Sequence, residues 1–217
     1  MSGPHITFRR YYIDQFLNQH KADFSGKVLD IGGERKNSRS NFKPPSNKLV
    51  VWIYLNCDPQ CAPDIVSDAA QIPLPNEEFD WFLLTEILEH VEDPKTVLKE
   101  AFRTLKTAGH GLITMPFLYQ VHADPHDYRR WTQQKLKLEL QQAGFTVIDI
   151  SPQGGIFAVI YDLIRSHLYR SYTEGSIKLR VGLKFLKIFG GIFQFFEKKH
   201  NHSQTWITTG WSCIVKK

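Results

Sequence analysis

Between residues 6 and 19, Phe8, Tyr12, Ile13, Phe16 and Leu17 recur at three- and four-residue spacing, which predicts an amphipathic helix. From Lys27 the pattern changes to short apolar runs. Lys27 to Ile31 ends in Gly32-Gly33, and Leu49 to Leu55, Asp64 to Val66, Phe79 to Leu84, Gly111 to Met115 and Phe145 to Ile150 follow. Runs that are apolar throughout, rather than alternating, predict strands buried on both faces of a mainly parallel sheet. Helical patterns separate the later runs. Asp93 is a natural N-cap with Pro94 at the first helical position, and Val97, Leu98, Ala101, Phe102 and Leu105 form one apolar face. Another helix is expected from Thr132 to near Gly144, which is placed to terminate it. Residues 156–199 read as helical, apolar and basic, and Thr205 to Val215 as a final strand.

The expected organisation is one α/β domain over 1–217. Residues 1–25 carry a helix, 26–155 the core, 156–204 a helical insertion or lid, and 205–217 the last strand. A length of 217 residues suits one well-buried domain, and 42% hydrophobic residues argues against disorder. The net charge of +5 is unevenly spread, with basic zones from Arg35 to Lys48 and from Arg165 to Lys199. Such zones suit an anionic partner, or simply a solvated surface. Three cysteines without a CxxC pair argue against a disulfide framework or zinc ribbon and fit a reducing, cytoplasmic setting. No secretory h-region and no run of about twenty apolar residues is seen, so neither export nor a membrane span is expected.

In open α/β sheets, ligands bind beyond the carboxyl ends of the strands. Here those ends hold Asp30-Ile31-Gly32-Gly33, then Asn56-Cys57-Asp58, then Asp68-Ala69-Ala70, then Thr85-Glu86 with Glu89-His90 close behind. Singly, each is weak, because a Gly-Gly turn is often structural. Together they place a glycine turn, a carboxylate suited to a ribose diol and a carboxylate suited to an adenine edge in sequence order.

This series resembles the class I S-adenosylmethionine-dependent methyltransferases, in particular the type 11 subgroup. The resemblance runs from about Gly26 to Gly155 and is most specific at Glu86-Ile87-Leu88-Glu89-His90-Val91. It implies a Rossmann-like, doubly wound fold with a mainly parallel seven-stranded sheet, an antiparallel last strand and a helical insertion before it. It also implies S-adenosyl-L-methionine as cofactor. Asp30, Gly32 and Gly33 would line its methionine end, Asp58 and Asn56 its ribose, Asp68 and Ala69 its adenine, and Glu86 would lie near the methyl donor. One departure matters: Glu34, Arg35 and Lys36 replace further glycines, and 34–46 reads as a loop where the family has a helix. Arg35, Lys36 or Arg39 is then the expected substitute for the helix N-terminus that would meet the cofactor carboxylate.

Beyond the fifth strand, His122 to Thr132 resembles a segment found among polysaccharide and lipopolysaccharide biosynthesis proteins. An alcohol acceptor benefits from a base, for which His122 is the first candidate and His126 the second; Arg130 would grip an acidic acceptor. The plain alternative is that Asp127 and Arg130 pair and Thr132 caps a helix. His122, Asp124, His126 and Asp127 are too tightly spaced for a zinc pattern, so no metal is expected. The absence of an Asp/Asn-Pro-Pro-aromatic turn and of a Pro-Cys nucleophile argues against nucleic-acid bases as acceptors. The expected activity is methyl transfer to oxygen of a saccharide or cell-envelope precursor. The alternatives are a quinone, lipid or other metabolite, or a non-catalytic cofactor-binding module. Residues 179–196, aromatic and basic, would cover the acceptor pocket or rest on anionic lipid at the inner membrane face.

Overall fold

The computed structural model describes residues 7–35, 41–46, 48–122, 126–172, 176–199 and 206–217. Within them seven strands form one sheet: β1 (Gly26–Ile31), β2 (Val50–Asn56), β3 (Ile65–Val66), β4 (Phe79–Thr85), β5 (Leu105–Pro116), β6 (Thr146–Pro152) and β7 (Gly210–Lys216). Their order is β3-β2-β1-β4-β5-β7-β6. The first five run parallel, whereas β7 lies antiparallel to both β5 and β6. This is the mixed, helix-flanked sheet of a Rossmann-like fold.

Alternate residues of the parallel strands feed two cores. Leu29, Ile31, Phe82 and Leu84 pack on one face with Val97, Leu98 and Ala101 of α2 (Pro94–Thr104) and with Leu136 and Leu140 of α3 (Gln133–Gln142). Val28, Trp81, Leu83 and Leu112 pack on the other with Ile13, Phe16 and Leu17 of α1 (Phe8–Gln19). The double burial explains why these strands lack polar alternation.

The helix ends follow their local chemistry. Asp93 accepts from Lys95 and Thr96 amides at the start of α2, and Thr132 accepts from Lys135 N at the start of α3. At α1, Thr7 accepts from Arg10 N, while the buried Asp162 carboxylate takes the Phe8 and Arg9 amides, both at 2.8 Å. Three of the four orphan N–H groups of that helix are thereby satisfied.

Three boundaries differ from the sequence reading. Leu105, expected on the α2 face, has extended backbone and pairs with Phe79, so β5 begins six residues before Gly111. The register then shifts, and Trp81 pairs with His110, leaving Lys106–Gly109 as a bulge whose Ala108 has φ +65°. The stretch 156–199 holds two helices, α4 (Ile156–Ser171) and α5 (Ile177–Lys199), with the backbone already extended at Tyr172. The last strand starts at Gly210, because Thr208 and Thr209 instead bond to Gln153. No helix follows β1 among the described residues of 34–46, and no described helix is long and apolar enough to cross a membrane.

Candidate active site

The chain order reverses at β1, with β2 on one side and β4 on the other. Ligand clefts form at such switch points, outside the carboxyl ends of the strands. A cleft of about 980 Å³ opens there. Of the residues expected to hold the cofactor, Gly32, Asn56, Asp58, Asp68, Ala69 and Glu86 line it. Asp30 and Gly33 do not. Asp30 is 3% exposed and receives Trp52 Nε1 at 3.3 Å, and the Gly33 turn folds over it, so Asp30 shapes the loop from beneath.

The strand-end loops brace one another. Asn56 donates to Gly33 O at 3.2 Å and accepts from Asp58 N at 3.0 Å, which ties the ends of β1 and β2. Asp58 is exposed and accepts from Gln60 N at 2.8 Å, while Asp68 accepts from Ala70 N at 2.8 Å. A carboxylate has about four acceptor positions, so one backbone bond leaves capacity for a ligand hydroxyl or amine. Thr85 adds a buried hydroxyl without a hydrogen-bond partner in the protein, at the cleft wall. Gly32, at φ +74°, sits where a Cβ would stand 2.1 Å from Ile87 Cδ1. The volume lies in the range of small-molecule sites, and the donor set suits S-adenosylmethionine.

Glu86 is the most constrained of these residues. It directly follows β4 with φ +55°, a left-handed backbone that non-glycine residues rarely adopt. Arg9, from α1, grips it bidentately through Nη2 and Nε, the latter at 3.0 Å, and Thr114 Oγ1 donates at 2.9 Å. Arg9 also reaches Gln153. Burial pushes the Glu86 carboxyl up, but Arg9 outweighs it and holds the group below the usual carboxylate range. Glu89, fully buried and facing the Glu86 charge, is held well above that range by burial first and Glu86 second.

The predicted catalytic residues separate. His122 lines the cleft with its imidazole 29% exposed, and burial lowers its pKa. His126 points away, exposed, its ring 5.4 Å from Tyr128. Arg130 is spent on Asp127 through two nitrogens and on Gln120 O at 2.9 Å, so the pairing alternative describes it. That contact holds Asp127 down at about 2. Arg35 faces Asp64 and lies over the Tyr54 ring, away from the role expected of it. Lys36, Arg39 and Asp124 lie outside the described residues.

The structure adds residues that spacing did not single out. Thr7, Arg9, Arg10 and Ile13 of the first helix region wall the cleft, as does Tyr119. Arg129 donates to Leu88 O, Val91 O and Glu92 O, and Tyr128 N donates to Glu89 O at 2.8 Å. These bonds clamp the 126–131 segment onto the Glu86–Glu92 turn. His90 and His122 meet edge to face with ring centroids 5.0 Å apart. The strand-end loops and the segment that carries Tyr119 and His122 therefore share one cleft.

Comparison with known proteins agrees with this geometry. Residues 9–113 match the family model of a methyltransferase domain, which ends before His122. A SAM-dependent methyltransferase from Archaeoglobus fulgidus is 15% identical, with a TM-score of 0.57 over 96% of this chain and 94% of that one. The [4+2]-cyclase SpnF is 13% identical, with a TM-score of 0.59 over 100% of this chain and 84% of that one. At such identities the likeness is one of fold. An uncharacterized protein of Methanocaldococcus jannaschii is 41% identical over 49 residues, a stretch spanning 23% of this chain and 24% of that protein. The matched domain, with the sheet that contains it, supports a class I S-adenosylmethionine-dependent methyltransferase of the type 11 kind.

Proposed function

We propose that the chain transfers the methyl group of S-adenosylmethionine to an oxygen of a small-molecule acceptor, a saccharide or related cell-envelope precursor. The observation that carries this reading is the cleft in which the strand-end residues meet His90 and His122, with the buried Glu89 carboxyl within 4.8 Å of both imidazoles. Gly32 and Glu86 are assigned to the methionine end, Asp58 to the ribose and Asp68 with Ala69 to the adenine. Asn56, Asp30 and Gly33 hold the loops in shape, and Arg10 is the cation facing the cleft that suits the cofactor carboxylate. Methyl transfer needs an in-line approach to the sulfonium carbon, and holding both reactants in one cleft supplies much of the rate. Activation of the acceptor hydroxyl falls to the Glu89-His90-His122 cluster. The saccharide assignment rests on the resemblance of the His122 to Thr132 segment.

Calorimetry with S-adenosylmethionine and its demethylated product tests the cofactor half; absence of binding to both overturns it. Formation of demethylated product on panels of saccharides, quinols and lipids tests the acceptor half. Turnover confined to quinols or lipids replaces the saccharide, and binding without any turnover leaves a cofactor-binding module.

A second reading concerns location. Phe185, Phe189, Ile192 and Phe196 of α5 are exposed, and Arg180 and Lys184 lie on the same helix. An apolar, aromatic face with flanking cations suits the boundary of an anionic membrane. A cytoplasmic enzyme resting there would meet a lipid-linked acceptor. Flotation with anionic vesicles tests this, and a protein that stays at the bottom of the gradient refutes it.

A further inference from the structure

Three electron-pair donors converge beside the cleft, and the buried Glu89 carboxyl, which burial pushes up, brings at most one proton to share among them. Glu89 is 0% exposed, and neither carboxylate oxygen has a hydrogen-bond partner. His90 Nδ1 lies 2.6 Å from His126 O. A carbonyl only accepts, so Nδ1 carries the proton, and the Nε2 lone pair of the neutral ring is left facing Glu89 Oε1 at 3.6 Å. His122 repeats the arrangement. Its Nδ1 faces Gln120 O at 3.2 Å and Asp127 Oδ2 at 3.4 Å, two acceptors, which leaves Nε2 directed at Glu89 Oε1 at 4.0 Å. Arg130 Nη2 stands 3.5 Å from the same Nδ1, but its hydrogens serve shorter partners, Gln120 O and Asp127 Oδ2.

Buried acceptors aimed at one another are costly unless a proton or a cation lies between them. The three donor atoms lie within 4.8 Å of one another. Donors in a tetrahedral zinc site are about 3.3 Å apart, as follows from bonds near 2.0 Å. A bound ion would draw the donors, at 3.6 and 4.0 Å from Glu89 Oε1, toward that separation. The backbone carbonyls that fix both histidine tautomers are the outer-shell partners typical of metal-binding histidines.

We propose that Glu89, His90 and His122 hold a divalent first-row transition-metal ion, with its open positions facing the cleft. Two imidazoles and one carboxylate favour zinc, iron(II), cobalt(II) or manganese(II) over magnesium or calcium. The assignment departs from the sequence reading, which foresaw no metal because it paired His122 with its near neighbours in the chain rather than with Glu89 and His90. In methyl transfer, the acceptor oxygen binds the ion and its O–H proton passes to water. The oxygen then bonds to the methyl carbon while the carbon–sulfur pair returns to sulfur, giving the methyl ether and the demethylated cofactor. The ion's role in methyl transfer rests on the function proposed above; its binding does not.

Tag-free protein stripped by a chelator is titrated with zinc, manganese(II) or cobalt(II) chloride by calorimetry, and cobalt(II) binding is also followed by visible absorption. One equivalent is expected. Glu89→Gln and His122→Ala should each weaken binding by more than about 100-fold, beyond the 10–100-fold typical of outer-shell changes. His126→Ala, which keeps the carbonyl that holds His90, should bind as the parent does. Zinc should raise the melting temperature of the parent and not of His122→Ala, a partly exposed position that carries the test if Glu89→Gln does not fold. No stoichiometric binding by the parent, or parent-like binding by the folded variants, overturns the proposal. S-adenosylmethionine is titrated into the same stripped protein. Cofactor binding without metal binding overturns the metal site alone, and metal binding without cofactor binding overturns the cofactor reading alone.

Discussion

Replacing Arg9 with methionine keeps much of the side-chain volume and removes the guanidinium that neutralises Glu86. The Arg9 side chain is 3% exposed and that of Glu86 14%, so the carboxylate left behind cannot recover its hydration. Three charge-assisted contacts disappear together: two to Glu86 and one to Gln153. Breaking a buried pair by removing one partner costs about 3–5 kcal/mol, most of it the penalty of the stranded charge. Glu86 also faces Glu89, whose burial already disfavours its ionised form. At roughly 2–4 °C per kcal/mol for a chain of this size, the melting temperature should fall by about 6–20 °C. Urea unfolding at pH 7 measures the loss directly. The double variant Arg9→Met/Glu86→Gln removes the stranded charge and should recover more than about 1 kcal/mol of it. A cost below about 1 kcal/mol for Arg9→Met, or strict additivity in the double variant, would refute the view that α1 is held by a charge pair at the cleft.

Burial pushes Asp162 up to about 6 despite its two amide donors. Its folded-state pKa exceeds the unfolded one, so the folded chain binds more protons between about pH 4 and 6. Stability should therefore decline by about 3 kcal/mol as pH rises through that window and level off above it, given about 1.4 kcal/mol per pKa unit. Asp162→Asn should lack this component in urea midpoints taken across pH; an unchanged slope speaks against the shift. Gly32→Ala places a side chain at φ +74° and 2.1 Å from Ile87, costing about 1–2 kcal/mol in backbone strain alone and at least roughly tenfold in cofactor affinity. Calorimetry reading parent-like affinity would remove Gly32 from the site. Asp58→Ala, at an exposed position, should lower cofactor affinity roughly 10–100-fold while leaving the melting temperature within a few degrees; a drop in stability without a change in affinity would make it a loop residue only.

Elements whose cause is local were legible in the sequence. Asp93-Pro94 starts α2 and Thr132 starts α3 by capping chemistry that acts within three residues, and doubly buried strands declare themselves by unbroken apolar runs. Leu105 misled because an apolar residue at helical spacing also suits a strand, and only pairing with Phe79 decides between them. The site was legible where strand ends converge by topology, which is why Gly32, Asp58, Asp68 and Glu86 reach one cleft. Long-range partnership was not legible. Arg9 is 77 residues from Glu86, and nothing in local spacing joins them. Asp30 matches a cofactor motif yet lies beneath the turn, since a motif states residue type and not the direction of a side chain. Arg130 read as a ligand for an acidic acceptor until Asp127, three residues away, took its guanidinium.

The placement of β7 between β5 and β6 governs how the molecule can be made. Among the described residues strand β6 pairs only with β7, so after Pro152 emerges it has no sheet neighbour until residues 210–216 follow. At about 5–20 residues per second that interval lasts roughly 3–12 s on the ribosome. During it β5 also presents an open edge, and exposed edges invite pairing with other chains. The nascent chain can dock α1 through β5 first, but sheet closure waits for β7. Because β7 lies so late in the chain, a ribosome paused between α4 and β7 would hold an aggregation-prone intermediate. Chaperone demand should peak at that stage of synthesis.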